Sequence, residues 1–171
     1  MDFDKVVEKR RSVRKYKNTD VPKEIIEKII NQTVTYSPSA NNLQPWKFLV
    51  ISDEKIKQKI VAMCKRNSYM MNAPYIVIAL SNQVECYEII GNYMRSDVID
   101  VSIAITHLIL AATNEGLGSC WVGAFEADKI EHFLEIAYPW RILALIPIGY
   151  PDETGTYVSR KPSGEVVEWV G

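Results

Sequence analysis

The run DVIDVSIAITHLILAATNE, residues 97–115, limits what this chain can fold into more than any other feature. Wound as a helix it is apolar on most sides, and such a helix has to be buried. A bilayer is one place to bury it, but a span needs roughly 18 predominantly apolar residues in a row. This run carries His107 and stops at Asn114-Glu115-Gly116. It therefore reads as the central helix of a folded core. The N-terminus carries no apolar leader segment, so a cytoplasmic protein without a membrane partner is expected.

The remaining pattern predicts what surrounds that helix. Phe3, Val6 and Val7 recur at helical spacing, so a short helix ends where the basic run KRRSVRKY, residues 9–16, begins. Val21-Pro22 opens a second helix whose stripe is Ile25, Ile26, Ile29, Ile30 and Val34. YSPSANNLQPW, residues 36–46, is a polar loop punctuated by two prolines. KFLVIS reads as a strand, and Ser52 or Asp53 then caps a helix with Ile56, Ile60, Met63 and Cys64 on one face. APYIVIALS, residues 73–81, is a buried strand rich in β-branched residues. Residues 82–96 give no clear pattern. GLGSCWVGAF supplies a turn and a third strand, and EADKIEHFLEIA an amphipathic helix with Ile130, Phe133, Leu134 and Ala137 inward. RILALIPIGYP is a fourth strand and EVVEWV a possible fifth. With no repeat or linker, the 171 residues form one domain of α+β or mixed α/β class. The apolar tail end (Val166, Val167, Trp169, Val170) needs a surface, either its own core or a neighbouring subunit.

Several chemistries are poorly served. A net charge of −1 draws no nucleic acid. Cys64, Cys86 and Cys120 are an odd, widely spaced set that suits a reducing cytoplasm rather than a disulfide framework or metal cluster. Only two histidines, His107 and His132, are available for a metal or a triad. Asp97 and Asp100 lie one helical turn apart, and a solvated or capping face is expected of them rather than an acid/base pair. GLGSCWVG fails the dinucleotide fingerprint, since Trp121 stands where the third glycine belongs and a helix precedes it. Gly116 and Gly118 either end the helix and start a turn, or meet a ligand through their backbone.

What remains is polar and cationic. Arg10, Arg11 and Arg14 offer guanidinium forks and Ser12 a hydroxyl, which match phosphate oxygens; a solvated helix end is the alternative. PSANN is either a plain loop or, through its small side chains, a surface that a flat ligand can approach closely. SRKP, residues 159–162, adds late cations. Cations at both ends, without a nucleophile–base pair, suit chemistry performed by a phosphorylated cofactor.

RRSVRKY, YSPSANNLQPWKFLVI, APYIVIAL, AATNEGLGSCWVGAF and RKP, in this order, resemble the FMN-dependent nitroreductase family over nearly the whole chain. The resemblance implies an α+β fold with a central, mainly antiparallel sheet flanked by helices, and a single FMN-binding domain spanning residues 1–171. It implies an intertwined homodimer with FMN at the interface, in which EVVEWV adds to the other subunit's sheet. Arg10, Ser12 and Arg14 would hold the phosphate and the near edge of the flavin, with Arg11 contributing through its backbone. Pro38, Ser39, Ala40 and Asn42 would reach the flavin of the opposite subunit. Asn67, with Asn72 as a rival, would meet the pyrimidine edge. Trp121, Val122 and Gly123 would lie beneath the ring, with an N–H near Gly123 facing N5. Arg160, with Lys161, would complete the phosphate site. No side chain is implied as catalyst. The implied activity is ping-pong hydride transfer from NAD(P)H through FMN to a nitroaromatic, quinone or similar small acceptor. A flavin carrier without turnover, or a flavin-destroying or dehalogenating relative, are the alternatives. Residues 82–97 are short where many members carry a helical insertion, so a minimal, open site is expected.

Overall fold

Ile76, Ile78 and Leu80 face one hydrophobic core while Val77 and Ala79 face a second, because successive side chains of a strand point to opposite faces. The computed structural model describes all residues, 1–171. In chain order these are α1 (Phe3–Lys9), α2 (Lys23–Tyr36), β1 (Trp46–Ile51), α3 (Glu54–Ala62), β2 (Tyr75–Asn82), α4 (Asp97–Asn114), β3 (Gly118–Ser119), α5 (Ala127–Phe133), β4 (Trp140–Gly149) and α6 (Ser163–Val166). Short 3₁₀ turns occupy Ala40–Asn42 and Ser68–Asn72.

The strands form one sheet in the order β1-β2-β4-β3, and every adjacent pair is antiparallel. The class is thus α+β. α2 and α4 cover one face through Ile26, Ile29, Val101, Ala104, Ile105 and Leu108. α3 and α5 cover the other through Ile60, Val61 and Ile130. The register shifts at Ala79/Leu80, where Leu80 pairs with Ile142 and Ala79 with Ala144. That bulge leaves Leu143 unpaired, and it packs beside Ala144 on the α4 side. The Asp53 carboxylate accepts from the Ile56 amide at 2.9 Å, so Asp53, not Ser52, caps α3.

Several expectations change. The third strand shrinks to two residues, with an isolated pairing of Val122 and Leu145 beyond it. α5 stops at Phe133 instead of reaching Ala137, because Glu135 turns to a left-handed φ of 54°. Residues 82–96 form a tight turn around Gly91 and Asn92, closed by Ile90 and Met94. EVVEWV forms no strand within the subunit: one helical turn precedes an unpaired end with Trp169 93% exposed. The tail therefore does not pack on its own core.

α4 lies against the sheet as expected, but it is not surrounded. Val101, Ala104, Ile105, Leu108 and Ala112 are buried, whereas Val98 is exposed and Ile99, Ile103 and Leu110 are half-buried. A single sheet can cover only one side of a helix, and the second apolar side faces outward.

Leu108→Ala should lower the unfolding free energy by about 2–5 kcal/mol in urea titration, the usual cost of a large-to-small change at a closed core site. All three cysteines are free and buried, and burial pushes the Cys64 thiol up to about 11. The native protein should therefore resist alkylation of Cys64 by iodoacetamide at neutral pH, as mass spectrometry would report, and react once unfolded.

Candidate functional site

The basic run leaves the helix before its chemistry begins. α1 ends at Lys9, and Ser12 pairs in parallel with Ser119 while the Val13 amide donates to the Ser119 carbonyl at 2.9 Å. Further on, the Lys17 amide donates to Tyr150 O and the Asp152 amide to Lys15 O, both at 2.9 Å. An extended arm thus runs from β3 along the segment after β4. Buried Val13 and Tyr16 anchor it, and the Tyr16 hydroxyl donates to Val13 O at 2.8 Å.

The end of α4 makes room for this arm. Gly116, at φ 77°, closes the helix with its amide on Thr113 O while the Leu117 amide donates to Ala112 O, the six-to-one and five-to-two pattern of a Schellman end. A Cβ on Gly118 would stand 2.8 Å from a Val13 methyl. Gly116 is therefore a helix terminator, and Gly118 lets the arm lie down.

The arm forms one wall of a cavity of about 470 Å³ lined by Arg10, Arg11, Ser12, Arg14, Thr156, Tyr157 and Arg160, with Glu8 as its one carboxylate. The two ends of the chain meet here because Gly155, at φ 72°, lets the backbone pass Arg11, where a Cβ would stand 2.6 Å from the arginine's own. None of the four arginines forms an ion pair, while neighbouring Lys15 pairs with Asp152 at 3.1 Å. Their partners are carbonyls and a ring: Arg11 donates to Glu8 O and Arg10 O and stacks over Tyr157, and Arg160 donates to Val158 O. Four arginines and one carboxylate, none of them ion-paired, make the cavity strongly cationic. Arg11 enters it through its side chain, not only its backbone. Lys161 is exposed and lines no part of it. Tyr157 and Gly155 escaped the sequence reading, although a glycine two residues before an aromatic in TGTY was the available signal.

A second group lies across the sheet edge. Val122 exchanges hydrogen bonds with Leu145, Trp121 is 38% exposed, and nothing lies within 4 Å of where a Gly123 Cβ would be. The Gly123 amide donates to no backbone carbonyl. The Asn67 side-chain amide donates to Lys65 O and Ala124 O, at 2.9 and 3.1 Å, which seats it beside this segment with Oδ1 left as an acceptor. Asn72 lines a different cavity with Tyr16, Lys17 and Lys57, so it does not compete for that position. Behind Trp121, the Tyr69 hydroxyl donates to the Cys120 thiol at 3.4 Å, and burial, then that thiol, raises the Tyr69 pKa.

The loop Pro38–Asn42 is not brought to these groups. It sits at the opposite end of α4, where the Ala40 amide donates to the Asp100 carboxylate at 3.1 Å. Asp100 and Gly116 are separated by about 24 Å of helix at 1.5 Å per residue. Asp97 and Asp100 are buried in the first turn of α4, which removes the solvated alternative and leaves the helix-capping one. They belong to the inner side of the helix, and loop and turn residues close over them.

The fold is α+β, with a cationic cavity where residues 10–14 meet residues 156–160. The chain belongs to the nitroreductase family, whose profile matches residues 7–68 and 61–150. A relative from Methanothermobacter thermautotrophicus, named for NADH dehydrogenase and NAD(P)H nitroreductase activity, is 32% identical over 90% of this chain and 79% of its own. An iodotyrosine deiodinase from Thermotoga neapolitana is 27% identical over 95% and 94%. A nitroreductase family protein from Clostridium novyi superposes with TM-score 0.82 at 33% identity, over 90% and 87% of the two chains. A nitroreductase-type structure from Exiguobacterium sibiricum, solved in complex with FMN, superposes with TM-score 0.88 over 99% and 98%; at 22% identity this likeness is one of fold.

Gly118→Ala should destabilise the protein by about 1–3 kcal/mol through overpacking. Val13→Ala in the same chain should recover part of that loss, a coupling that a double-mutant cycle on thermal midpoints would measure.

Proposed function

We propose that this chain is an FMN-dependent NAD(P)H oxidoreductase that works as a homodimer. The observation that carries the reading is the set of four guanidinium groups without counter-ions around one cavity, beside Ser12. That donor set fits a phosphate monoester. The open approach at Gly123 and the free Oδ1 of Asn67 fit a flat ring with an N–H on its edge.

Bound FMN would supply the redox chemistry, accepting a hydride from NAD(P)H and passing two electrons to a nitroaromatic, quinone or similar small acceptor. The protein's part is binding and electrostatics. Arg10, Arg11, Ser12, Arg14 and Arg160 would grip the phosphate. The Gly123 amide would point at ring N5, and Asn67 Oδ1 would accept from the ring edge. Trp121 and Val122 would form a floor. No side chain on this surface is placed to serve as nucleophile or general base.

The homodimer reading rests on three uncovered features. The outer face of α4 is apolar, the tail beyond Val166 is unpartnered, and the Pro38–Asn42 loop lies a helix length from the arginines of its own subunit. Two antiparallel copies of α4 would bring the loop of one subunit, with Pro38, Ser39, Ala40 and Asn42, to the arginine cavity of the other. The free, buried cysteines suit a cytoplasmic setting.

Similarity to an iodotyrosine deiodinase favours dehalogenation as a second reading. The alignment runs over 190 positions against the 171 residues here, so that relative carries inserted residues which this chain lacks.

The purified protein should be yellow, elute at twice the subunit mass and bleach when NADH or NADPH is added without oxygen. A colourless protein that cannot be reconstituted with FMN would overturn the proposal. Arg10→Ala with Arg14→Ala should weaken FMN binding at least about tenfold, in line with the loss of charge-assisted hydrogen bonds, while leaving the dimer folded by circular dichroism. Unchanged affinity would remove the phosphate assignment.

A further inference from the structure

Asp100 is an ionisable residue that the functional reading leaves without a task. It is 3% exposed, on the inner side of α4. Its Oδ1 accepts from the Ala40 amide at 3.1 Å, and Oδ2 is sealed from solvent with no donor. No cation pairs with it. A buried carboxylate with a single donor costs the fold stability rather than adding to it. Its one hydrogen bond crosses sixty residues of sequence, to the loop of small residues.

That loop needs holding. Asn41, Asn42 and Gln44 adopt φ of 50°, 56° and 50°, the left-handed region that side-chain-bearing residues rarely enter. Inside the loop the Asn42 amide donates to Ser39 O at 3.0 Å and the Leu43 amide to Ala40 O at 3.1 Å, and Gln44 adds side-chain ties, its amide donating to Ser39 Oγ at 3.0 Å and its side chain to Asn42 O at 3.1 Å. The Asp100–Ala40 bond is the side-chain tie that fixes the loop to the body of the subunit.

We infer that Asp100 is a positioning residue, whose carboxylate holds the Ala40 amide and so sets the left-handed turn that presents residues 38–42 to the cofactor of the partner subunit. The inference rests on the FMN-dimer reading for the loop's target, though not for the tie itself. Asp100 touches no reacting atom and acts through the loop. Because the carboxylate is poorly satisfied, removing it separates stability from binding: the apo fold gains or holds its ground while the loop loses its shape.

Two measurements on the full-length protein test this. Hydrogen exchange on apo protein reads the Ala40 amide, and fluorescence titration reads FMN affinity. Asp100→Leu keeps the branched heavy-atom shape of the side chain and removes the acceptor. It should speed Ala40 exchange at least about tenfold, as expected for a lost hydrogen bond, and weaken FMN binding by a similar factor. The apo melting midpoint should stay level or rise. Asp100→Asn retains an acceptor and should rescue both within about threefold; where the Leu variant does not fold, Asp100→Ala replaces it with the same expected losses. Wild-type exchange at Ala40 in the Leu variant, or in the Ala variant that replaces it, overturns the inference. So does intact FMN affinity in that Leu or Ala variant. A wild-type protein that binds no FMN overturns the functional reading, while the exchange result still decides whether Asp100 holds the loop.

Discussion

The packing of the inner face of α4 on the sheet is the contact from which the rest follows. Val101, Ala104, Ile105, Leu108 and Ala112 give that face its burial against β2 and β4. Once the helix lies there, its two ends become fixed points on the molecule. The C-terminal end closes at Gly116 and turns straight into β3, and the N-terminal arm lies against β3. The N-terminal end carries Asp100, and the Pro38–Asn42 loop hangs from it. The helix acts as a spacer that determines which residues of one subunit can share a site.

This explains why glycine matters at so few positions. Gly118 is small because Val13 sits on it, and Gly155 is left-handed because the late chain must pass Arg11. Each lets a distant segment come into contact, and together they bring residues 10–14 and 156–160 into one cavity. The arginines there gain no carboxylate from the fold, although Glu153 is close enough to accept from the Arg14 amide at 2.6 Å. Its acceptor is spent on a backbone amide, and the guanidinium groups form no ion pair with it.

Much of the fold was legible because its signals are local. The stripes of α2 and α3, the β-branched run of β2 and the apolar run of α4 each depend on neighbours in sequence. The errors fall where distant partners decide. β3 is two residues long because only Gly118 and Ser119 reach β4, and α5 ends early because Glu135 turns left-handed. EVVEWV looks like a strand, yet no edge within the subunit pairs with it.

The sequence by itself determined the elements, the family and the residues able to grip an anion, since motif spacing and side-chain chemistry are written in order along the chain. Only the tertiary structure decided which of those residues meet. It joined Arg160 to the N-terminal arm and left Lys161 outside, seated Asn67 rather than Asn72 beside Gly123, and set the Pro38–Asn42 loop far from the arginines. It also decided between the solvated and the helix-capping alternatives for Asp97 and Asp100, burying both in the first turn of α4. The reason is that burial depends on what packs over a helix face, and for Asp100 that cover is a loop sixty residues earlier in the chain.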